Sequence, residues 1–227
     1  KPCGFIFLGG TSENFKAGFW DISVPAVLVT NTAAHLGFPN LSSVTSDDTA
    51  AARCAVSYLL AQGHREIAVI GGDVEKSEIS RLRHDGCVQA LQAAGREQTC
   101  LYETTRFCYQ GGYEAMARIL DCCGSHVTAV FAMADVLAIG AIRCIRDHGL
   151  RVPEDISVIG LDGLPVGRFY SPKLTTIRQK TAEMADLCVR TLLESLEGQP
   201  SRHLTVPFEL DCYESVNPCG GAAAETN

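Results

Sequence analysis

One part of the sequence decides the fold: residues Leu150–Gly163 read LRVPEDISVIGLDG, and residues Ser171–Ile177 read SPKLTTI. The segment Ile156–Leu161 is almost wholly apolar, as expected of a parallel strand that is covered on both faces. Asp162 follows at the point where this strand leaves the sheet. Because ligands of open α/β sheets bind at the carboxyl ends of the strands, Asp162 is a candidate ligand contact.

Strand-like and helix-like segments alternate along the rest of the chain. The pattern predicts strands over Gly4–Leu8, Ala26–Thr30, Ile67–Gly71, Cys100–Thr104, Thr128–Met133, Ile156–Leu161 and Leu204–Leu210. It predicts helices over Thr49–Gln62, Arg81–Ala94 and Ala182–Leu196, and one more that Asp135 caps and Gly149 closes. A strand plus a helix every 30 residues or so is typical of βαβ units. The predicted class is therefore α/β, with parallel sheets and right-handed crossovers.

Composition narrows the classes of function. The formal charge is −7 and the 19 basic residues are scattered singly, so the chain offers no surface for a phosphate backbone. The 11 cysteines are odd in number and form no Cys-x-x-Cys motif, which favours free thiols in a reducing cytoplasm over a zinc site or a disulfide framework. No apolar run is long enough to cross a membrane, and no cofactor motif is present.

Motifs of catalysis and phosphate binding are absent from the sequence. Gly9-Gly10 and Gly71-Gly72 follow strands, but neither pair extends into a dinucleotide or phosphate loop. There is no Gly-x-Ser-x-Gly elbow and no His-Glu-x-x-His motif. The sequence therefore does not predict an enzyme.

Charged and aromatic residues follow four successive predicted strands. Arg83 lies in the helix after Ile67–Gly71, Phe107 follows the next strand, and Asp135 and Asp162 follow the two after that. A carboxylate facing a guanidinium can hold a polyol, and an aromatic face suits a sugar ring. The alternatives stay open: Asp135 as a helix cap, Arg83 as part of a solvated face, and Phe107 as core.

Five segments resemble the effector-binding core of the lactose and galactose repressor (LacI/GalR) family. They are GHREIAVIGG (63–72), SRLRHDG (80–86), FAMADVLAIGA (131–141), GLRVPEDISVIGLD (149–162) and LTTIRQ (174–179). The resemblance runs in order over about residues 4 to 216. It implies a periplasmic-binding-protein-like fold of two lobes, each with a parallel sheet flanked by helices, and a ligand between the lobes.

Carried over to this chain, the resemblance implies an amino lobe of residues 1–63 plus 180–200 and a carboxyl lobe of residues 64–179 plus 201–216. Residues 217–227 are Gly- and Ala-rich and are expected to form a flexible tail. Effector contacts in the family match Arg83 and Asp162, with Phe107, Gln179, Asp135 and Ala134 nearby. Ala134 is a departure, because an Asn or Ser often contacts the ligand there.

The front of the family pattern is also missing. A helix-turn-helix headpiece and the first two strand-helix units of the amino lobe are expected before Gly4–Leu8, so the chain resembles a fragment. Operator DNA would then be bound by the headpiece, while this chain senses a sugar-like effector and forms a homodimer in the cytoplasm. Two alternatives stay open: a sugar-binding protein of a transport system, and an enzyme on a doubly wound sheet.

Overall fold

The computed structural model describes residues 1–95 and 101–218. Its strands are β1 (Phe5–Leu8), β2 (Ala26–Val29), β3 (Leu41–Ser46), β4 (Ile67–Gly71), β5 (Leu101–Thr104), β6 (Ala129–Ala132), β7 (Ser157–Asp162), β8 (Thr175–Gln179), β9 (His203–Val206) and β10 (Phe208–Asp211). Its α-helices are α1 (Ser12–Gly18), α2 (Asp48–Ala61), α3 (Glu78–Ala93), α4 (Tyr109–Cys123), α5 (Asp135–Asp147) and α6 (Thr181–Leu196). The predicted α/β alternation is confirmed.

The chain divides into two compact units. Of the described residues, the first contains 1–47 and 179–208, and the second contains 48–95, 101–178 and 209–218. The first unit has a four-stranded sheet in the order β1-β2-β3-β9, and the second has a six-stranded sheet in the order β10-β8-β7-β6-β4-β5. The strand pairs from β1 to β9 in the first sheet, and from β8 to β5 in the second, are parallel. The predicted parallel sheets are therefore confirmed.

Different residues cover the two faces of the sheet in the first unit. One face carries a phenylalanine cluster, in which the rings of Phe7 and Phe15 lie 5.1 Å apart and those of Phe19 and Phe38 lie 4.8 Å apart. On the other face, valines of β2 and β3 pack against Met184 and Cys188 of α6. Aromatic rings at these separations add to the free energy gained by burying their surface.

The second unit has the larger core. Alternate residues of β4 and β6, among them Ile70 and Val130, pack with Met116 of α4 and Ile142 of α5. The strand residues between them, such as Phe131, are also fully buried. Burial on both faces explains why β4, β6 and β7 are almost continuously apolar in sequence.

The unit boundaries differ from those predicted by the resemblance. Helix α2, expected in the amino lobe, belongs to the second unit because it packs against α3. Strand β9, expected in the carboxyl lobe, belongs to the first unit because it pairs with β3. The predicted single strand 204–210 is thus wrong: β9 and β10 lie in different sheets, and Pro207, which has no N–H to donate, separates them.

Among the strands and α-helices of residues 1–95 and 101–218, the sequence patterns missed β3, β8, α1 and α4. Of the predicted tail, Asn217 is well held, since its N–H donates to Ser157 Oγ (3.1 Å) and its carbonyl contacts His64 Nε2 (2.9 Å). Residues 219–227, and Cys100 of the fourth predicted strand, lie outside the described residues. None of the helices in the described part of the chain is both long and apolar enough to span a membrane.

Candidate functional site

The candidate site lies at the carboxyl edge of the six-stranded sheet. Strands β4 to β8 are parallel, so their carboxyl ends meet at one edge, where ligands of open α/β sheets bind. Asp162 is the last residue of β7, Ala134 and Asp135 follow β6, and Phe107 follows β5. Gln179 is the last residue of β8 and belongs to the first unit, whereas the other predicted site residues belong to the second.

Arg83 reaches this edge from the first half of α3. Its side chain is buried, with Nε 2.7 Å from Asp48 Oδ1, and its guanidinium also donates to the carbonyl of Met133 at the end of β6. The alternative of a solvated face is therefore wrong for Arg83. Helix α3 begins at a regular cap, in which Ser77 Oγ accepts from the N–H of Ser80 (3.2 Å).

Asp48 was not found from the sequence. It lies in the first turn of α2, next to the carboxyl end of β3, and it is separated from Arg83 by 35 residues. The signal used for Asp162 was a carboxylate after a predicted strand, and that signal did not exist for Asp48, because the sequence patterns did not predict β3. Because both charged groups are buried, the interaction of each group with the other compensates for the hydration that both lost on folding.

Asp162 stands at a sharp turn. Its φ is +129° and that of the following Gly163 is +75°. A positive φ at a residue other than glycine is uncommon and costs free energy, so other contacts have to hold the backbone in place. Asp162 is partly buried, as a residue at the wall of a ligand site would be.

Asp135 is fully buried beside that turn. Its Oδ1 accepts from the hydroxyl of Thr176 (2.6 Å), and its Oδ2 accepts from the N–H of Leu164 (2.6 Å). Burial raises the pKa of the carboxyl, and these hydrogen bonds oppose that rise. The prediction that Asp135 caps α5 is wrong: Ala134 is the N-cap residue, it makes no side-chain capping bond, and Asp135 is the first helical residue.

Phe107 is 43% exposed, so the alternative of a core residue is wrong. Its ring lies against Gly72, where an added Cβ would come within 2.8 Å of the ring. The neighbouring Tyr102 was missed from the sequence: its hydroxyl donates to the carbonyl of Gly72 (2.5 Å) and lies 3.6 Å from the sulfur of Met133. Tyr102 therefore contacts the ends of both β4 and β6. Ala134, a predicted site residue next to Met133, is buried.

The chemistry of this edge is that of binding. It combines a buried guanidinium–carboxylate pair, a carboxylate at a strand end and an exposed aromatic face, which together suit a ligand rich in hydroxyl groups. Within residues 1–95 and 101–218, no group of three or more His, Cys, Asp or Glu side chains could hold a metal ion.

This chain is similar in sequence to a family of binding-protein domains and to transcriptional repressors. Residues 56–216 match the family model described as a periplasmic binding protein-like domain. The HTH-type transcriptional repressor PurR of Glaesserella parasuis is 39% identical over 167 residues, which are 71% of this chain and 48% of the repressor. The chain thus spans about half the length of the curated relatives it matches.

Two solved structures show the same fold. A LacI family transcriptional regulator from Enterococcus faecium with bound ribose superposes with a TM-score of 0.83 and 27% identity, over 95% of this chain and 80% of that chain. The complex of the transcriptional regulator CelR with cellobiose gives a TM-score of 0.82 and 31% identity, over 94% and 65% of the two chains. Both neighbours are regulators with a bound sugar, and the predicted periplasmic-binding-protein-like fold is confirmed.

Proposed function

This chain belongs to the LacI/GalR family of transcription regulators, and we propose that it is the effector-sensing and dimerisation part of such a regulator. One observation carries the proposal: Arg83, paired with Asp48, and the strand-end carboxylate Asp162 reach the same edge of the six-stranded sheet. The proposed effector is a small sugar or related polyol. Effector binding would control operator DNA binding by a helix-turn-helix headpiece elsewhere in the protein.

The proposed ligand contacts are Arg83, Asp162, Phe107 and Gln179, with Ala134 nearby. A polyol presents donors and acceptors on neighbouring carbons, so a carboxylate and a guanidinium can each take two of its hydroxyls. The exposed ring of Phe107 supplies an apolar face for the C–H groups of a sugar. Ala134 offers no polar group where an Asn or Ser would, which favours an effector with one fewer polar contact at that end.

Calorimetric titration tests the ligand class. D-ribose and cellobiose are the first probes, followed by a panel of pentoses, hexoses and disaccharides. Asp162→Asn should weaken binding by about 1.5 to 3 kcal/mol through the loss of a charge-assisted hydrogen bond. Arg83→Lys should also weaken it, since lysine keeps the charge but loses the planar fork of donors.

Asp147→Asn is the matched control, because Asp147 is a partly exposed carboxylate paired with Arg143 at the surface of the same unit. We expect its affinity to equal that of the unmodified protein. If the panel produces no heat of binding, or if Asp162→Asn binds like the control, the sugar site at this edge is excluded.

Homodimerisation is the second part of the proposal. Phe169, in the loop after β7, is 89% exposed, the highest value among the large apolar side chains in the described part of the chain, and we propose that it lies at the dimer interface. Sedimentation of the unmodified protein and of Phe169→Ser should show a dimer weakened by the substitution. Tyr213→Ser, also at an exposed aromatic residue, is the control.

DNA binding by residues 1–227 themselves is not part of the proposal. With a net charge of −7, these residues should show no salt-sensitive retardation of DNA in a mobility-shift titration. We propose that the protein works in the cytoplasm of a bacterium, where a regulator has access to DNA. The names of the curated relatives describe regulators rather than enzymes. We therefore propose neither a catalytic reaction nor a transport function for this chain.

A further inference from the structure

The turn that carries Asp162 has a positive φ at two successive residues. Asp162 has a φ of +129° and Gly163 a φ of +75°. Glycine adopts such angles freely, but an aspartate does so at a cost in free energy. Without bonds from elsewhere, the end of β7 would relax toward an ordinary extended backbone, and the carboxylate of Asp162 would change its direction.

The carboxylate of Asp135 accepts hydrogen bonds from the turn after β7 and from strand β8. Its Oδ2 accepts from the N–H of Leu164, two residues after Asp162, and its Oδ1 accepts from the hydroxyl of Thr176 in β8. Thr176 is the register partner of Gly160 across the β7–β8 pair. One buried carboxylate thus connects the start of α5, the turn after β7 and the neighbouring strand β8.

Gly160 makes this connection possible. A Cβ at position 160 would lie 2.3 Å from Asp135 Oδ1, closer than real side chains approach. Strand β7 therefore has a glycine in the middle of an otherwise apolar run, although glycine weakens a strand. The close approach lets the carboxylate lie over the β7–β8 pair with both of its oxygens bonded.

We infer that Asp135 is a positioning residue, which makes no contact with the ligand but holds the Asp162 turn in the conformation that binds it. The identity of the ligand in this inference rests on the proposed function, whereas the role of Asp135 in holding the turn does not. It differs from the expectation that Asp135 contacts the effector, because the side chain is fully buried and both oxygens accept hydrogen bonds from the protein. It also differs from a role confined to the N-terminus of α5, since the partners lie on β8 and on the turn.

Three variants separate these roles. Asp135→Ala removes both acceptors, Asp135→Asn keeps the shape and one acceptor oxygen, and Thr176→Val removes one donor while leaving the bond to Leu164 intact. The first measurement is amide hydrogen exchange at Gly163 and Leu164, with Val130 in the core of β6 as the internal reference. The second is the affinity for D-ribose, with Asp162→Asn alongside.

We expect exchange at Gly163 and Leu164 to rise roughly tenfold or more in Asp135→Ala relative to Val130, as the loss of a charge-assisted bond would produce. Asp135→Asn should restore part of the protection, and Thr176→Val should retain most of it. The affinity for D-ribose should fall in the same order as the protection. An effect on global stability alone would raise exchange at Val130 together with the turn.

Two results would overturn the inference: unchanged exchange at Gly163 and Leu164 in Asp135→Ala, or faster exchange there with unchanged affinity for D-ribose. If affinity falls in Asp162→Asn but not in Asp135→Ala, the proposed site survives and the positioning role fails. If the unmodified protein binds no D-ribose, the exchange measurement alone decides whether Asp135 holds the turn.

Discussion

The guanidinium of Arg83 and the carboxylate of Asp48 form an ion pair in which each side chain is only 7% exposed and Nε lies 2.7 Å from Oδ1. Asp48 is the first residue of α2 and Arg83 lies in the first half of α3, and the same guanidinium also donates to the carbonyl of Met133 after β6. The pair therefore orients the predicted ligand-binding arginine before any ligand arrives. It also makes the stability of the unit depend on a charged contact.

Removing one partner of this pair should be costly. We expect Asp48→Ala to lower the free energy of unfolding by about 3 to 5 kcal/mol, because the charge of Arg83 would remain buried without compensation. The double variant Asp48→Leu with Arg83→Met should lose much less, since both charges are then gone. Urea unfolding measures all three proteins.

The matched control for that series is Asp85→Ala. Asp85 pairs with Arg81 on the exposed face of α3, with both side chains about half exposed. An exposed pair of this kind contributes about 0.5 kcal/mol or less. Equal losses in Asp48→Ala and Asp85→Ala would contradict the interpretation of a buried, interdependent pair.

Helices α4 and α5 approach each other closely at two glycines. A Cβ at Gly140 would lie 2.0 Å from the carbonyl oxygen of Tyr109, and one at Gly112 would lie 2.2 Å from that of Leu137. Replacing a helical glycine by alanine usually stabilises a helix by up to about 1 kcal/mol. Here we expect Gly140→Ala to destabilise by about 1 to 3 kcal/mol, because backbone atoms must move apart.

Urea unfolding checks this reversal of sign. Gly18→Ala is the control, because no atom beyond its chain neighbours and its own helix backbone lies within 4 Å of the place where its Cβ would be. We expect no loss of stability in the control. A Gly140→Ala protein as stable as the unmodified one would show that α4 and α5 are less closely packed than described.

The buried His64 should make stability depend on pH. Burial lowers its pKa below the ordinary value of 6.5, against the hydrogen bond to the carbonyl of Asn217. As pH falls through 6.5, the unfolded chain takes up a proton at this residue while the folded chain does not. The free energy of unfolding should therefore decrease, by less than about 1.4 kcal/mol per pH unit.

Urea unfolding at pH 7.5 and pH 5.5 isolates this contribution when the unmodified protein is compared with His64→Gln. The difference between the two pH values should shrink in the variant. His126→Gln, at an exposed position, should retain the full difference. An unchanged pH dependence in His64→Gln would show that the histidine is protonated equally in both states.

The cysteines should differ sharply in reactivity. Burial raises the pKa of Cys144 to about 11, so its thiolate is on the order of a thousandth of the total at pH 8. Cys3, Cys108 and Cys122 are exposed. Mass spectrometry after brief treatment with iodoacetamide should find these three alkylated and Cys144 intact, and rapid alkylation of Cys144 in the folded protein would contradict its burial.

Local patterns in the sequence predicted a large part of the fold. The apolar runs that became β4, β6 and β7 are visible because both faces of these strands are covered, and Gly63, Gly95 and Gly149 follow helix ends with the positive φ that glycine adopts freely. The same local logic identified Asp162 at the end of a buried strand. Each of these signals lies within a few residues of the feature it predicts.

The missed strands β3 and β8 have a different cause. β3 reads LSSVTS and β8 reads TTIRQ, so their buried positions are largely filled by Ser and Thr. Ser43 Oγ lies 2.9 Å from Nδ1 of His203, 160 residues away, and Thr175 Oγ1 accepts from the N–H of Tyr213 at 2.9 Å. A buried hydroxyl is acceptable when it is hydrogen-bonded, and these partners are distant in sequence.

The residues of the candidate site likewise divide into those that the sequence predicted and those that only the structure identified. Periodicity and strand ends in the sequence were enough to determine parallel α/β sheets and a carboxylate at the end of β7, because those features depend on neighbouring residues. Tertiary structure alone decided that Asp48 neutralises Arg83, that Asp135 bonds to Leu164 and Thr176 instead of capping α5, and that β9 joins the first sheet. The physical reason is that burying a charge or a hydroxyl costs free energy unless a partner meets it, and the fold, not the local pattern, brings that partner.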